Sequence, residues 1–532
     1  MGVAVCGFRV LTDGGLTNDH FMHLAWAQQV LLGDMPYRDF VEPGMPLMYL
    51  LSAAVQQLWA GPFSEIVLTS AMLGVAAAAT CWLVTQMTGS LVVGILAVIA
   101  EAILQPRLYG YPKLLVPPVV LVALWHYAEA PSRRRLLWLA CASVVGGLLR
   151  YDLGLFVVVS CLGGLLAMPG TPAATRLGHA GIYAALALLI VTPYLLAVHW
   201  TSGLWEQVRE SLEFAKGESH QLLLHLDEQP RLAGWPTTDE NAAAFLYYAG
   251  AILAVAAGSL VVLARRGLSR AQVVTLTAAA ICLACYSVWI VRHPIVVRVR
   301  DNGALMAIVT AACACEIGRR LLTSSGRPQT MSGLAWTGLA TVIVVGGGSI
   351  LELARMDDAL ERSHILSGMG RMQARLTGLS DAGAEWPWAH YWPQGELPDA
   401  VRYLNSCVQP SERVLLTWSA PEYYYFSQRG FGAGIALFLP PRAFTTAADQ
   451  AKMQRRLNGQ NVPLVLINET HRDEFARAYP QIDRYLRERY VPGATFAVRD
   501  GSNITIAVRN DLTPRASFEK SDWPCDLVRK GS

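Results

Sequence analysis

Asn18-Asp-His-Phe-Met-His-Leu-Ala-Trp-Ala-Gln-Gln-Val-Leu-Leu-Gly33, running on into Asp34-Met-Pro-Tyr-Arg-Asp-Phe40, is the stretch on which the reading of this chain turns. Thr17 or Asn18 can cap a helix N-terminus and Gly33 can close it, which predicts a helix of about four turns. Phe21, Leu24, Trp26, Val30 and Leu31 make its surface greasy, and Asp19, His20, His23, Gln28 and Gln29 interrupt it. A helix of that kind suits a membrane interface, with its Trp at headgroup depth, better than a span. Asp19 falls in its first turn, where the helix dipole favours an ionised carboxylate.

Composition places most of the chain in lipid. Of 532 residues, 53% are hydrophobic and 16% charged, with a mean hydropathy of +0.33; soluble domains carry about 25% charged residues. The net charge of +3 is too small to imply a nucleic-acid partner. No basic head, clean apolar core and cleavage site mark a signal peptide. Eight of the ten cysteines lack metal-ligand spacing and read as small hydrophobes, whereas Cys407 and Cys525 share the polar C-terminal region and can pair if it faces an oxidising compartment.

Apolar runs occupy 65–87, 89–104, 112–128, 136–149, 153–168, 178–199, 242–263, 271–291, 303–317 and 331–353. Several fall short of the roughly 20 residues that span a bilayer. A further run at 46–59 carries Gln56, Gln57 and Trp59 and reads as embedded or re-entrant. Arg133–Arg135, Arg265 with Arg266 and Arg270, and Arg319 with Arg320 and Arg327 are the dense basic loops, so that side is cytoplasmic. The expected fold is mainly α: a polytopic transmembrane helical bundle of about 10–12 segments over residues 1–353, with outer-face loops 1–45 and 200–241. Residues 354–532 read as a soluble extracytoplasmic α/β domain. Within it, 414–418 and 463–467 read as buried strands, 475–490 as one amphipathic helix, and 494–498 with 504–508 as a hairpin.

The outer loops hold an unusual number of charges: Asp19, Arg38, Asp39 and Glu42, then Arg107 and Lys113, Arg150 and Asp152, and Arg298, Arg300 and Asp301. Cations on that side run against the usual bias and ask for anions, whether nearby carboxylates or a lipid phosphate. A carboxylate base beside cations that hold a phosphate leaving group is what glycosyl transfer from a phospholipid requires. Plainer readings stand beside these. Asp19 can cap a helix, Arg107 and Lys113 can snorkel, Asp301 can neutralise an arginine, and Arg150 with Asp152 can compensate each other. Tyr423–Phe426 reads as domain core rather than a sugar platform.

Asp19-His20, the helix closing at Gly33, Met35-Pro-Tyr-Arg-Asp-Phe40 and Pro43-Gly-Met-Pro-Leu-Met-Tyr49 resemble the first outer loop of GT-C glycosyltransferases, the polytopic enzymes related to protein mannosyltransferases and aminoarabinose lipid A transferases. The likeness extends weakly through Tyr111-Pro-Lys113, Gly147–Gly154 and the closing α/β domain. It implies a polyprenyl-phosphate-linked sugar as donor, a lipid, polysaccharide or protein acceptor, and inverting transfer at the outer face of the inner membrane. Asp19 matches the family's base, with Asp39 as a second catalytic candidate. Arg107, Lys113, Arg298 and Arg300 are the candidates for the donor phosphate; His20, Arg38, Glu42 and His220 are those for substrate. The family usually has Asp-Glu or Asp-Asp where this chain has Asp-His, so no metal ligand is assigned and a divalent cation stays open as a cofactor. Residues 1–16 are too short and polar to match the spanning helix that precedes this loop in the family. The alternative reading is a transporter or flippase of a lipid-linked or amphipathic substrate, for which matching broken halves would be expected; no such repeat is visible.

Overall fold

The computed structural model describes residues 1–13, 16, 18–41, 44–104, 110–224, 239–264, 267–291, 300–323, 359–381, 397–436, 438, 443–497, 502–519 and 521–530. In chain order its helices are α1 (Gly2–Leu11), α2 (Asn18–Leu31), α3 (Pro46–Leu58), α4 (Pro62–Thr88), α5 (Leu91–Ile103), α6 (Tyr111–Glu129), α7 (Arg133–Leu149) and α8 (Tyr151–Leu166). Then come α9 (Ala173–Ser202), α10 (Leu204–Leu224), α11 (Asp239–Ala264), α12 (Arg270–Val291), α13 (Gly303–Thr323) and α14 (Met369–Asp381). The C-terminal part adds α15 (Leu397–Cys407), α16 (Pro421–Ser427), α17 (Ala447–Gly459), α18 (Arg472–Ala478) and α19 (Pro480–Arg489).

Two compact units emerge. The first comprises Met1–Gly14, Ile66–Leu195 and Leu222–Leu376; the second comprises Gly15–Glu65, Leu196–Gln221 and Thr377–Ser532. In the first, α12 packs against α6, α8 and α11, and α6 against α7. Gly154 of α8 meets Gly147 of α7 so closely that a Cβ on Gly154 would strike the Gly147 Cα. Glycines on both helices allow this close approach of the two backbones. Among the described residues, three helices are long and apolar enough to cross a membrane: Pro62–Thr88, Ala173–Ser202 and the Arg270–Val288 part of α12. Leu91–Ile103 and Tyr151–Leu166 are apolar but shorter. The run at 331–353 lies outside the described residues.

The second unit centres on a five-stranded sheet of order β2-β1-β3-β5-β4, with strands β1 (Arg413–Leu416), β2 (Gly430–Phe431), β3 (Leu464–Asn468), β4 (Tyr490–Ala497) and β5 (Asn503–Arg509). β1 runs parallel to β2 and β3, while β5 is antiparallel to β3 and β4. β3 is buried at every position, as expected of a strand covered on both faces. A ribbon of β6 (Leu512–Ser517) and β7 (Pro524–Arg529) follows, and a disulfide joins Cys407 at the end of α15 to Cys525 on β7. The expected helix over 475–490 is two helices, α18 and α19, broken at Tyr479-Pro480. Pro480 has no amide hydrogen to continue α18 and starts α19 instead.

The helix predicted from Asn18 exists as α2, but not as a helix lying on lipid. Phe21, Leu24, Ala25, Trp26 and Ala27 are buried, and α2 packs on α3 and α16. The apolar positions that suited an interface are satisfied by protein. α3 has 13 residues, so it is about 20 Å long, shorter than the roughly 30 Å hydrocarbon core.

Candidate functional site

The first-loop segment is anchored at four points to the C-terminal sheet and the elements packed on it, within the second unit. Gln29, fully buried, accepts from the Phe431 amide at 2.9 Å and donates to the Arg429 carbonyl at 3.2 Å, covering the free edge of β2. Asp34 receives the Arg413 guanidinium bidentately at 2.6 and 2.7 Å. Arg456 of α17 donates to the carbonyls of Tyr37 and Arg38 at 3.0 and 3.1 Å, and the Val41 amide donates to Gly434 at 2.9 Å. Tyr37 has φ +67, an αL conformation that a non-glycine residue keeps only when its neighbours enforce it. Phe40 fills the angle between Tyr49 and Phe431 edge-on, at 6.2 and 6.0 Å.

Asp39 serves that turn. Its carboxylate accepts from the Met35 amide at 2.8 Å and from Arg38 at 2.6 to 3.0 Å. Partial burial alone would raise its pKa, but the Arg38 and Met35 hydrogen bonds and the Arg38 and Arg413 charges outweigh that and hold it below the usual carboxylate range. A carboxylate so held is a weak base.

Asp19 sits in the first turn of α2, one turn before His23; its side chain, like that of His220 in α10, lies outside the described residues. His20 and His23 are buried, and His23 Nδ1 stands 3.5 Å from Oε1 of Glu65, itself fully buried at the start of α4. Beside them Gln56 accepts from the Tyr425 hydroxyl at 3.0 Å and donates to Ser64 at 2.6 Å. In the sequence Glu65 heads the apolar run 65–87. A carboxylate placed there is itself a signal, because the charge is costly unless it is used. Among the described residues no cluster of three His, Cys, Asp or Glu side chains is spaced to hold a metal ion.

In the first unit, Lys113 and Asp301 form a buried ion pair that joins α6 to the 3-10 turn Arg300–Asn302 leading into α13. A Cβ on Gly110 would come within 2.5 Å of Asp301 Oδ1, so glycine there keeps room for this carboxylate. The Tyr286 hydroxyl of α12 donates to the Lys113 carbonyl at 2.9 Å. Arg300 is buried in the same turn. Arg150 binds Asp152 at 2.8 and 3.0 Å, and Asp152 also accepts from the Leu153 amide at the start of α8. The structure therefore brings Lys113 and the Arg300–Asp301 turn together and leaves Arg38 paired with Asp39 on an exposed turn. Glu42, Arg107 and Arg298 lie outside the described residues.

No family model matches the chain, and no curated protein matches it in sequence. Among solved structures the chain is similar to ArnT from Cupriavidus metallidurans in its apo crystal form. The identity is 11%, the coverage 95% of this chain and 96% of that one, and the TM-score 0.45. A superposition that loose says nothing of activity or of residue roles.

Proposed function

We propose that this chain is an integral-membrane glycosyltransferase that moves a sugar from a polyprenyl-phosphate donor to an acceptor hydroxyl at the extracytoplasmic face, with inversion at the anomeric carbon. The observation that carries the reading is the buried Lys113–Asp301 pair with Arg300 beside it, set among apolar helices. Charges in such a bundle are costly and are kept for function. In the reaction, the acceptor oxygen attacks the anomeric carbon while the base takes its proton, and the bond to the donor phosphate breaks with its electron pair leaving on phosphate. Asp19 is assigned as base, by its place in the first turn of α2. Lys113 and Arg300 are assigned to the phosphate, where cations stabilise the growing charge. Cytosolic proteins rarely keep disulfides, so the Cys407–Cys525 bond supports an extracytoplasmic C-terminal domain.

Membranes holding wild-type or Asp19→Asn protein, matched for folded protein, are offered a panel of polyprenyl-phosphate sugars. Removing a general base lowers rate by about 10²–10⁴, so product from wild type and a loss on that scale in the variant is the expected result. Full activity in the variant removes Asp19 as base. Donor movement across the bilayer without transfer supports a flippase instead.

A further inference from the structure

A water-facing helix hides its apolar side and exposes its charges; the first half of α10 keeps Glu206, Arg209 and Glu213 about a third exposed, yet it also buries polar residues and exposes apolar ones. Gln207 and Glu210 are buried at 6% and 8% exposure, whereas Trp205, Val208 and Leu212 are exposed at 78%, 39% and 56%. These three recur at i, i+3 and i+7 and form one continuous stripe. The buried charge is accounted for, since Glu210 accepts from Lys452 of α17 at 2.6 Å.

What lies before it names the occupant. α10 follows α9 after a single residue, Gly203, in the left-handed region at φ +83. α9 has 30 residues, and the span window within it is only 17% buried, so the apolar surface it presents, Leu188, Leu189 and Leu196 included, faces outward over its length. Trp200, 78% exposed, closes that helix, and Trp205 opens the next. Tryptophans mark the headgroup level at the end of a span. Lys216, exposed one turn beyond Leu212, is a side chain that can keep its ammonium in the headgroups while its stem stays in apolar surroundings.

We propose that α10 is an in-plane amphipathic helix seated in the outer bilayer surface by Trp205, Val208 and Leu212, and that the lipid surface is the partner of this face of the second unit. On its inner side the helix reaches the first-loop turn through protein: Glu210 holds Lys452, and one turn along α17 Arg456 holds the Tyr37 and Arg38 carbonyls. Lipid seating of α10 thereby sets the depth of the 35–40 turn. This inference rests on the membrane reading of α9 and is independent of the transfer chemistry.

The test places the photo-cross-linker p-benzoylphenylalanine at Leu212, at Leu188 of α9, or at Arg487, whose side chain is 62% exposed on α19. The full chain is irradiated in native membranes and its mass measured after purification. A mass shift of one phospholipid at Leu212, in yield like that at Leu188 and absent at Arg487, is the expected result. Labelling at Leu188 with none at Leu212 overturns the seat, as does cross-linking of Leu212 to a second chain or another protein. Equal lipid labelling at Arg487 overturns it too. No lipid at either Leu188 or Leu212 overturns both the seat and the membrane reading of α9, while leaving the sugar-transfer assay to be decided separately.

Discussion

The side-chain amide of Gln29 stands in for a neighbouring strand: it takes the Phe431 amide at 2.9 Å and gives to the Arg429 carbonyl at 3.2 Å, on the β2 edge of the sheet. Replacing it with leucine keeps the volume and removes both bonds. Each buried backbone group so stranded costs about 1–3 kcal/mol, so Gln29→Leu is expected to lose roughly 2–5 kcal/mol in total. Thermal unfolding of the purified protein in detergent reads the loss as a lowered Tm. An unchanged Tm would mean that water replaces the amide and that the edge is not held by α2.

The Asp34–Arg413 pair is bidentate and largely buried on its acidic side. A double-mutant cycle with Asp34→Asn and Arg413→Met is expected to return a coupling of about 1–3 kcal/mol. Sites without a shared partner add to within about 0.5 kcal/mol. Additive losses would show that the two side chains sit together without tying the loop to β1.

Asp39 and Asp19 are separated by the same exchange. Asp39→Asn weakens the turn but is expected to leave transfer within about tenfold, against the loss of about 10²–10⁴ expected for Asp19→Asn. The lowered pKa of Asp39 adds a pH signature. A carboxyl depressed in the fold stabilises it above the unfolded-state pKa, and that contribution fades as pH falls through the folded pKa. Order of the 35–40 turn, followed by limited proteolysis, should therefore persist until the pH drops below the ordinary carboxylate range. Loss of transfer in Asp39→Asn as deep as in Asp19→Asn would move the base to Asp39.

Lys113 has two readings, donor ligand and structural counter-ion, and a paired substitution tells them apart. Lys113→Met takes from the buried Asp301 the ammonium it binds and leaves it the charge of Arg150 nearby, at a cost of up to about 3–5 kcal/mol. Adding Asp301→Leu removes the carboxylate that has lost its lysine and is expected to recover part of the Tm. Transfer should stay low in the double variant if Lys113 holds the phosphate. Wild-type rates from a refolded, stable double variant would make Lys113 purely structural.

How much of this was legible in the sequence depends on how far each relationship reaches along the chain. The bounds of α2 followed from Asn18 and the residues up to Gly33, and β1 and β3 from runs of buried hydrophobes, because caps and periodicity are local. The surroundings of α2 were not legible. Phe21 and Trp26 are equally at home against lipid or against α16, and an apolar side chain does not say which solvent it meets. Partners across 402 residues, as for Gln29 and Phe431, or 188, as for Lys113 and Asp301, leave no trace in spacing. Pro480 is legible in the sequence, since it breaks 475–490 by a local rule.

Glu422 offers a prediction that no motif suggested. It lies in the first turn of α16, buried, with Oε2 lacking a hydrogen-bond partner, and burial pushes its pKa up to about 7 from 4.5. The unfolded chain releases this proton first. Stability therefore falls as pH rises from about 4.5 to about 7, then levels off with the carboxylate ionised in both states. Glu422→Gln keeps the shape and never ionises, so it is expected to raise the Tm at pH 8, by the equivalent of roughly 3 kcal/mol at most. Near pH 5 wild type and variant should melt together to within about 1 kcal/mol. The measurement is a pair of melting curves across that range for each protein. A stability difference that does not change between pH 5 and pH 8 would mean that Glu422 is charged throughout, with a cation holding it.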